Sequence, residues 1–125
     1  VATIAELAGP SGEDFIFEPE PNSPIIRNLI VYPNPVNLQK SQFVVLDFYL
    51  TRPAEVQVTI YSSSAEHVFT SQPFSGKIGR NNDFDWRGKN MNGARVASGV
   101  YTCSVTATDK DNNSHVVDSK IVLIQ

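Results

Sequence analysis

Short runs in which apolar and polar residues alternate one by one restrict this chain more than any other feature of its sequence. The alternation is clearest in residues 43–50, 56–60 and 101–107, and each run has the length of a strand. Since successive side chains of a β-strand point to opposite faces, each run buries one face and leaves the other in water. The side chains expected to face inward are Val44, Leu46, Phe48, Leu50, Val56, Val58, Ile60, Tyr101, Cys103, Val105 and Ala107.

Turn-forming residues divide the chain into about seven short strands, and no segment shows the 3.6-residue period of an amphipathic helix. Strands are predicted over residues 29–32, 43–50, 56–60, 67–70, 83–86, 100–108 and 116–124. Short, evenly spaced strands of this kind are typical of an all-β, immunoglobulin or fibronectin III-like two-sheet β-sandwich. Residues 76–82 are expected to form a loop, and the strand over 100–108 is expected to be the longest.

The first 28 residues differ from the rest of the chain. Residues 18–24 are rich in Glu and Pro, and proline has no N–H to donate to a central strand. The sequence therefore predicts an extended arm over residues 1–28 and a sandwich domain over residues 29–125. Within the arm, Phe15-Ile16-Phe17 has two interpretations. These side chains cover surface along a tether, or they form an added edge strand on this domain or on a neighbour.

The charge pattern argues against a nucleic-acid partner. The net charge is −3, and the ten Lys and Arg residues are scattered instead of forming a basic stripe. No apolar run approaches the roughly 20 residues that a membrane-spanning helix needs, so no membrane span is expected.

The single cysteine, Cys103, excludes an internal disulfide and a metal site built from several cysteines. It lies among alternating apolar residues, which predicts a small buried hydrophobic side chain with no nucleophilic role.

Four motifs follow one another along the strands. They are Tyr32-Pro33-Asn34-Pro35, Val56-Gln57-Val58-Thr59-Ile60-Tyr61, the stretch that contains Trp86-Arg87-Gly88, Asn92-Gly93 and Val96-Ala97-Ser98-Gly99-Val100-Tyr101, and the closing Lys120-Ile121-Val122-Leu123. In this order and spacing they resemble the Ig-like domain of flagellar hook-capping proteins and its relative, the C-terminal sorting domain of the bacterial type IX secretion system. The resemblance covers about residues 29–125.

The resemblance implies a non-catalytic module at the C-terminal end of a secreted bacterial protein. Such a module serves in type IX-type sorting or surface attachment, or packs against a larger extracellular protein or assembly. The implied partners are upstream domains of the parent protein, other subunits of an extracellular assembly, and the outer-membrane secretion machinery. The implied location is extracellular, secreted or at the cell surface, and reached through the periplasm.

The motif residues also have expected folding roles. Pro33-Asn34-Pro35 fixes how the arm enters the sandwich, and Trp86 is the expected centre of the core. The Tyr101 ring is expected to pack inward while its hydroxyl bonds to nearby backbone. A positive φ, which glycine adopts at little steric cost, is expected where the chain reverses at Gly88, Gly93 and Gly99.

No enzyme chemistry is indicated, and no cofactor is expected. A hydrolase needs a nucleophile, a base and an orienting group in contact. His67, His115 and Ser98 lie in separate polar or turn segments, and Asp83 and Asp85 are expected on a solvated strand face. The sequence therefore predicts that the chain is not an enzyme.

Residues 109–113 form the one candidate metal site. Asp109, Asp111 and Asn113 carry oxygen side chains at alternating positions, as a calcium loop does. The EF-hand pattern then requires Gly and an acidic residue where this chain has Ser114 and Lys120. A polar hairpin loop is the favoured interpretation, with a weak surface calcium site as the alternative.

Two tyrosines, Tyr49 and Tyr61, are predicted to point outward on strands that are candidate neighbours. Exposed aromatic side chains on a β-sandwich can form a sugar-stacking surface, or can simply stabilise the sheet as a cross-strand pair. The alternative function is therefore a carbohydrate- or ligand-binding accessory module of an extracellular enzyme.

Overall fold

The computed structural model describes residues 23–125, which form two β-sheets packed around one core. The small sheet has three antiparallel strands in the order β1 (Ile26–Tyr32), β3 (Val44–Leu50) and β7 (Gly79–Trp86). The predicted all-β, Ig-like two-sheet sandwich is confirmed. The segment Phe15-Ile16-Phe17, for which the sequence leaves two interpretations, lies outside the described residues.

The large sheet has six strands. Five follow the order β2 (Val36–Asn37), β9 (Ser114–Ile124), β8 (Gly99–Thr108), β4 (Ala54–Ser62) and β5 (His67–Thr70), and β6 (Phe74–Gly76) also pairs with β4. Strand β2 runs parallel to β9, and a single 3₁₀ turn, Leu38–Lys40, follows it. Since β2 and β6 have only two and three residues, seven longer strands remain within residues 23–125.

The core lies between the two sheets. Every side chain that the alternation of β3, β4 and β8 predicts to face inward is buried. The small sheet adds Ile26, Val31 and Trp86, and β9 adds Ile121 and Leu123. Removal of this apolar surface from water is the main force that holds the two sheets together.

The first strand begins earlier than expected. Strand β1 starts at Ile26 instead of residue 29, because Ile25 and Ile26 are both buried in the core. The backbone N–H of Ile25 also donates a hydrogen bond to Nδ1 of His115 (3.1 Å), which fixes the chain where it enters the sandwich. The sandwich therefore includes residues on the arm side of the predicted boundary.

Most of the expected loop over residues 76–82 is strand. Strand β7 begins at Gly79, which pairs with Leu50. The strand is not evident from the sequence, because one of its inward positions is the polar Asn81. This side chain is buried, and its amide exchanges hydrogen bonds with the backbone of Lys77 and Gly79. Strand β9, with eleven residues, is also longer than β8, with ten.

Strand β1 contains a bulge that reverses the direction of its side chains. The register against β3 shifts between Arg27 and Ile30, and Asn28 within this stretch has a left-handed φ of 61°. A regular strand cannot bury both Ile26 and Val31, which are five residues apart, whereas one extra residue in a bulge makes this possible. As a result, Ile30 points into solvent and is 58% exposed.

Trp86 and Tyr101 close one end of the sandwich. Their rings pack edge to face with centroids 5.7 Å apart. The Trp86 indole N–H donates to the carbonyl of Lys89 (3.0 Å), and the Tyr101 hydroxyl donates to the carbonyl of Ala97 (2.6 Å). Both hydrogen bonds end in the connection between β7 and β8, so the two aromatic side chains anchor that connection to the core.

Two of the three motif glycines have the expected positive φ, 72° at Gly88 and 80° at Gly93. A Cβ at Gly88 would also collide with the side chain of Leu38. The expectation for Gly99 is wrong, because this residue is not in the left-handed region. It is the first residue of β8 and pairs with Leu123, so it lies in extended backbone.

The Pro33-Asn34-Pro35 turn is attached to the edge of β9 by the amide of Asn34. The Asn34 Nδ2 donates to the carbonyl of Lys120 (3.0 Å), and its Oδ1 accepts from the N–H of Val122 (2.8 Å). The Asn34 side chain thus satisfies backbone hydrogen-bonding groups at the edge of β9, directly before β2 begins to pair with that strand.

Candidate interaction surfaces

The outer surface of the small sheet, which we call the small-sheet face, combines apolar side chains with arginines. Four of its apolar side chains are well exposed: Ile30 (58%), Tyr32 (38%), Phe43 (39%) and Tyr49 (38%). Its charged residues are Arg27, Asp47, Arg80, Asp83, Asp85 and Arg87. Tyrosine, phenylalanine and arginine are enriched at protein–protein interfaces, and arginine and tyrosine are also frequent among their energetic hot spots.

Two arginines lie over aromatic rings of this face. The Arg27 guanidinium lies 5.3 Å from the ring centroid of Tyr49, and that of Arg87 lies 4.5 Å from the ring of Phe43. Such contacts combine a cation with an aromatic face and hold long side chains flat against the sheet. Each end of the small-sheet face therefore carries an arginine stacked on a ring.

Asp47 and Arg80 form an ion pair at the middle of the face. The guanidinium donates to the Asp47 carboxylate from Nε (3.0 Å) and Nη2 (2.6 Å), and the Tyr32 hydroxyl donates to the same oxygen (3.4 Å). The hydrogen bond from Arg80 lowers the pKa of the Asp47 carboxyl, although burial opposes the shift. The Asp47 carboxylate thus has its hydrogen-bond donors, Arg80 and Tyr32, within the same face.

The structure does not bring Tyr49 and Tyr61 together. Tyr49 lies on β3 in the small sheet, whereas Tyr61 lies on β4 in the large sheet. The expected shared aromatic patch is wrong, because alternation along a strand reveals which face a side chain takes but not which sheet the strand joins. Tyr49 belongs to the small-sheet face.

Tyr61 borders a separate shallow depression on the outer face of the large sheet, which we call the Tyr61 depression. Its ring packs edge to face against His67, with centroids 6.3 Å apart. Two hydrogen bonds cross the strands beside it, from Lys120 to Thr102 (2.9 Å) and from Ser104 to Asp118 (2.6 Å). The depression is lined by Tyr61, Ser62, Ser63, Ala65, Thr102, Ser104, Asp118 and Lys120.

The Asp109 carboxylate organises its own turn and an ion pair. It accepts hydrogen bonds from the backbone N–H groups of Asp111 (2.9 Å) and Asn113 (3.0 Å), from the Asn113 side chain (3.1 Å), and from Nε of Arg52 (3.0 Å). Burial raises the pKa of this carboxyl, but the hydrogen bonds outweigh burial and lower it to about 2.

The calcium interpretation of Asp109, Asp111 and Asn113 is therefore corrected. The Asp109 oxygens are directed at N–H donors, and the Asn113 amide donates to Asp109 where a calcium site would need an acceptor. No group of three or more His, Cys, Asp or Glu residues within 23–125 could hold a metal ion.

The residues considered for catalysis lie apart and make separate contacts. Nδ1 of His115 accepts the Ile25 N–H, Nε2 of His67 is 2.6 Å from the Thr70 hydroxyl, and the Ser98 hydroxyl accepts the Gln125 N–H (2.8 Å). Asp83 is exposed and Asp85 pairs with Arg87 (3.4 Å). These side chains stabilise local structure and do not form a nucleophile–base pair.

Cys103 is completely buried in β8 and is not part of a disulfide. Burial raises the pKa of its thiol to about 11, so the thiol is neutral and unreactive at physiological pH. No helix within residues 23–125 is long and apolar enough to cross a membrane.

The small-sheet face as a unit is not evident from the sequence. Ile30 was concealed by the bulge in β1, and Arg27 and Arg80 come from strands whose beginnings were placed too late. One signal was present, since the alternation of β3 places the Asp47 carboxylate and the Tyr49 ring together on its outward side.

Comparisons with known proteins agree with this fold. The sequence model of the FlgD Ig-like domain matches residues 34–111. No curated protein sequence matches the chain. Among solved structures, dimeric latent PorU from Porphyromonas gingivalis is similar over 77% of this chain and 9% of its own, with a TM-score of 0.62 and 16% identity. A β-glucuronidase from Parabacteroides merdae is similar over 80% of this chain and 14% of its own, with a TM-score of 0.55 and 16% identity. The chain thus spans a small part of each of these proteins.

Proposed function

Because this chain belongs to the FlgD Ig-like domain family, we propose that it is a non-catalytic accessory module of a secreted bacterial protein and works through protein–protein contact. Its role is to pack against a larger extracellular protein or assembly, or to mark its parent protein for type IX-type sorting and surface attachment. The family match over residues 34–111 supports the Ig-like module.

The small-sheet face is the observation that carries this proposal. Exposed Ile30, Tyr32 and Tyr49 beside arginines form a surface with the composition of a protein interface. A module with such a face contributes affinity and position, and it leaves any chemistry to the protein that carries it.

The sorting role is tested by attaching the chain to a reporter. Residues 1–125 are fused behind a secretory signal and a fluorescent protein, and expressed in a bacterium that has a type IX secretion system. Residues 25 and 26 must be included, because both are buried in the core. We expect the reporter at the cell surface, where external protease removes it.

A strain without the outer-membrane translocon is the control, and it should retain the same fusion in the periplasm. Retention of the reporter in the periplasm of the complete strain would eliminate the sorting role and leave the packing role as the function.

A second candidate is carbohydrate binding at the Tyr61 depression, favoured by an aromatic ring beside the polar Asp118 and Lys120. Since the two tyrosines lie in different sheets, single substitutions separate the surfaces. If this depression binds sugars, Tyr61→Ala abolishes retention of the chain in affinity gels containing polysaccharide, while Tyr49→Ala leaves it unchanged. Equal mobility of both variants and the unmodified chain, with and without polysaccharide, would rule out this function.

A further inference from the structure

The charges of the small-sheet face balance. The face carries three arginines and three aspartates, namely Arg27, Arg80, Arg87, Asp47, Asp83 and Asp85. It is therefore neutral, although the whole chain has a net charge of −3. A neutral surface gains nothing from a partner of a single charge sign, and it does not repel a second copy of itself.

Two charges of the face, one of each sign, lack a counter-ion in the part of the chain that the structure describes. The other two arginines pair with the other two aspartates. Arg27 and Asp83 are both exposed, and none of the ion pairs within residues 23–125 involves either of them. The Arg27 guanidinium lies over the Tyr49 ring, which holds it against the face. One exposed cation and one exposed anion thus share a surface without pairing.

Arg27 and Asp83 lie on opposite edges of the small sheet. Arg27 on β1 pairs with Tyr49 of β3, and Asp83 on β7 lies opposite Asp47, where the register between β3 and β7 shifts. Because β3 separates the two edge strands, the backbones at Arg27 and Asp83 are about 10 Å apart across the sheet and about 7 Å apart along it. The two charges therefore do not meet within one chain.

A second copy of the chain brings these two charges together. In a dimer with two-fold symmetry, the same surface of each copy forms the interface, and every contact between different residues occurs twice. A two-fold axis that crosses β3 between Asp47 and Tyr49 places Arg27 of each copy opposite Asp83 of the other. The unpaired cation and the unpaired anion then form two identical ion pairs, one on each side of the axis.

The side chains near this axis are suited to burial in such a dimer. Ile30 on β1 pairs with Asp47 and is 58% exposed, and Tyr49 is 38% exposed. Each copy covers these side chains of the other, and removal of their apolar surface from water favours the dimer. Arg80 keeps Asp47 as its own counter-ion, so it brings no unpaired charge to the axis.

We propose that the small-sheet face is a self-association surface, on which two copies of this chain form a two-fold symmetric dimer with reciprocal ion pairs between Arg27 and Asp83. This inference rests on the proposed function, because it names the partner of the face that carries it. It adds that the module is presented in pairs wherever its local concentration is high.

The size of the face limits the strength of the dimer. Its three strands have seven or eight residues each. They cover about 14 Å by about 23 Å, well below the roughly 800 Å² per partner of a standard interface. The dimer is therefore weak, with a Kd of about 0.1 mM.

Charge reversal at the two residues tests the proposal, with sedimentation equilibrium of the full chain as the measurement. Arg27→Glu places two carboxylates opposite one another on both sides of the axis, and Asp83→Arg does the same with two guanidinium groups. Each variant alone should therefore dimerise at least about tenfold more weakly than the unmodified chain. An equimolar mixture of the two variants should recover the dimer, because each variant then supplies the charge that the other lacks.

Matched controls make the same charge changes at the tip of the hairpin between β8 and β9. Lys110→Glu and Asp111→Arg are exposed positions outside the small-sheet face. Each control variant alone should dimerise as the unmodified chain does, and mixing the two should add nothing. Because the control mixture has the same net charges as the test mixture, it removes attraction between whole molecules as an explanation for recovery.

Chemical shifts of the unmodified chain locate the surface without any substitution. On dilution, we expect the ¹⁵N signals of Ile30, Tyr49 and Asn82 to move, while those of Val116 and Val122 on the large sheet stay in place. Each variant must also keep the dispersed spectrum of the folded chain.

Three outcomes overturn the proposal. They are a chain that stays monomeric at about millimolar concentration, a mixture of Arg27→Glu and Asp83→Arg that stays as weakly associated as its components, and dilution shifts confined to the large sheet. The reporter fusion separates this failure from failure of the proposed function. A monomeric chain that still brings the reporter to the cell surface removes the second copy as partner and keeps the sorting role.

Discussion

The hydroxyl group of Tyr101 makes one of the two side-chain hydrogen bonds through which Trp86 and Tyr101 anchor the connection between β7 and β8 to the core. The Tyr101 ring is buried against Trp86, and its hydroxyl reaches the carbonyl of Ala97 at 2.6 Å. The ring contributes packing and the hydroxyl contributes a hydrogen bond, so the two contributions can be separated by removing one oxygen atom.

Tyr101→Phe should therefore lower the free energy of unfolding by about 1 kcal/mol, the usual value of one hydrogen bond, while the fold is kept. Urea unfolding followed by the fluorescence of Trp86 measures the change. Tyr49→Phe is the matched control, because it removes a hydroxyl from a tyrosine that is 38% exposed and should stay within about 0.5 kcal/mol of the unmodified chain. Equal losses in both variants would contradict the role assigned to the Tyr101 hydrogen bond.

At the scale of elements, the strands with a regular alternation could be predicted and the irregular ones could not. Strands β3, β4 and β8 follow a period of two over most of their length, and their buried side chains match the pattern. In β1 the bulge at Asn28 shifts this period by one residue, so the inward and outward sets change places within the strand. Asparagine tolerates the left-handed φ that Asn28 adopts, but this tolerance alone does not place the extra residue, because the position of the bulge depends on pairing with β3.

The candidate surface was harder to predict than the fold for a related reason. Its side chains come from β1, β3 and β7, which are distant in the sequence and adjacent only in the small sheet. The outward direction of Tyr49 and Tyr61 was predictable from alternation, but their assignment to different sheets depends on the crossover between β3 and β4. A surface shared by several strands requires the order of the strands, and periodicity does not contain that information.

At the scale of the whole molecule, the ion pair between Asp109 and Arg52 connects the two sheets with the point where the chain enters the sandwich. Asp109 follows β8 in the large sheet, and Arg52 lies in the crossover that joins β3 to β4. Arg52 also bonds to Ser23 before β1. The Arg52 and Asp109 side chains are only 16% and 4% exposed, so this ion pair closes the end of the sandwich opposite Trp86.

This arrangement predicts a specific dependence of stability on pH. The pKa of Asp109 is about 2 in the folded chain, below the value of about 3.9 for an unfolded aspartate, and the pKa of Asp47 is lowered as well. A carboxyl whose pKa is lower in the folded state contributes its full stability above about pH 5. That contribution is lost as the pH falls from about 5 to about 2, because the unfolded state binds protons first. The urea midpoint should therefore be level from pH 7 to pH 5 and fall steeply below pH 4.

Asp109→Asn separates this carboxylate from the others. It should lower the urea midpoint at pH 7, because the ion pair with Arg52 is lost, and it should make the decline below pH 4 shallower. The matched control is Asp83→Asn, which removes an exposed carboxylate on β7 and should leave both the midpoint and the decline as they are in the unmodified chain. A decline below pH 4 that is equally steep with and without Asp109 would show that this carboxylate does not govern the acid stability of the sandwich.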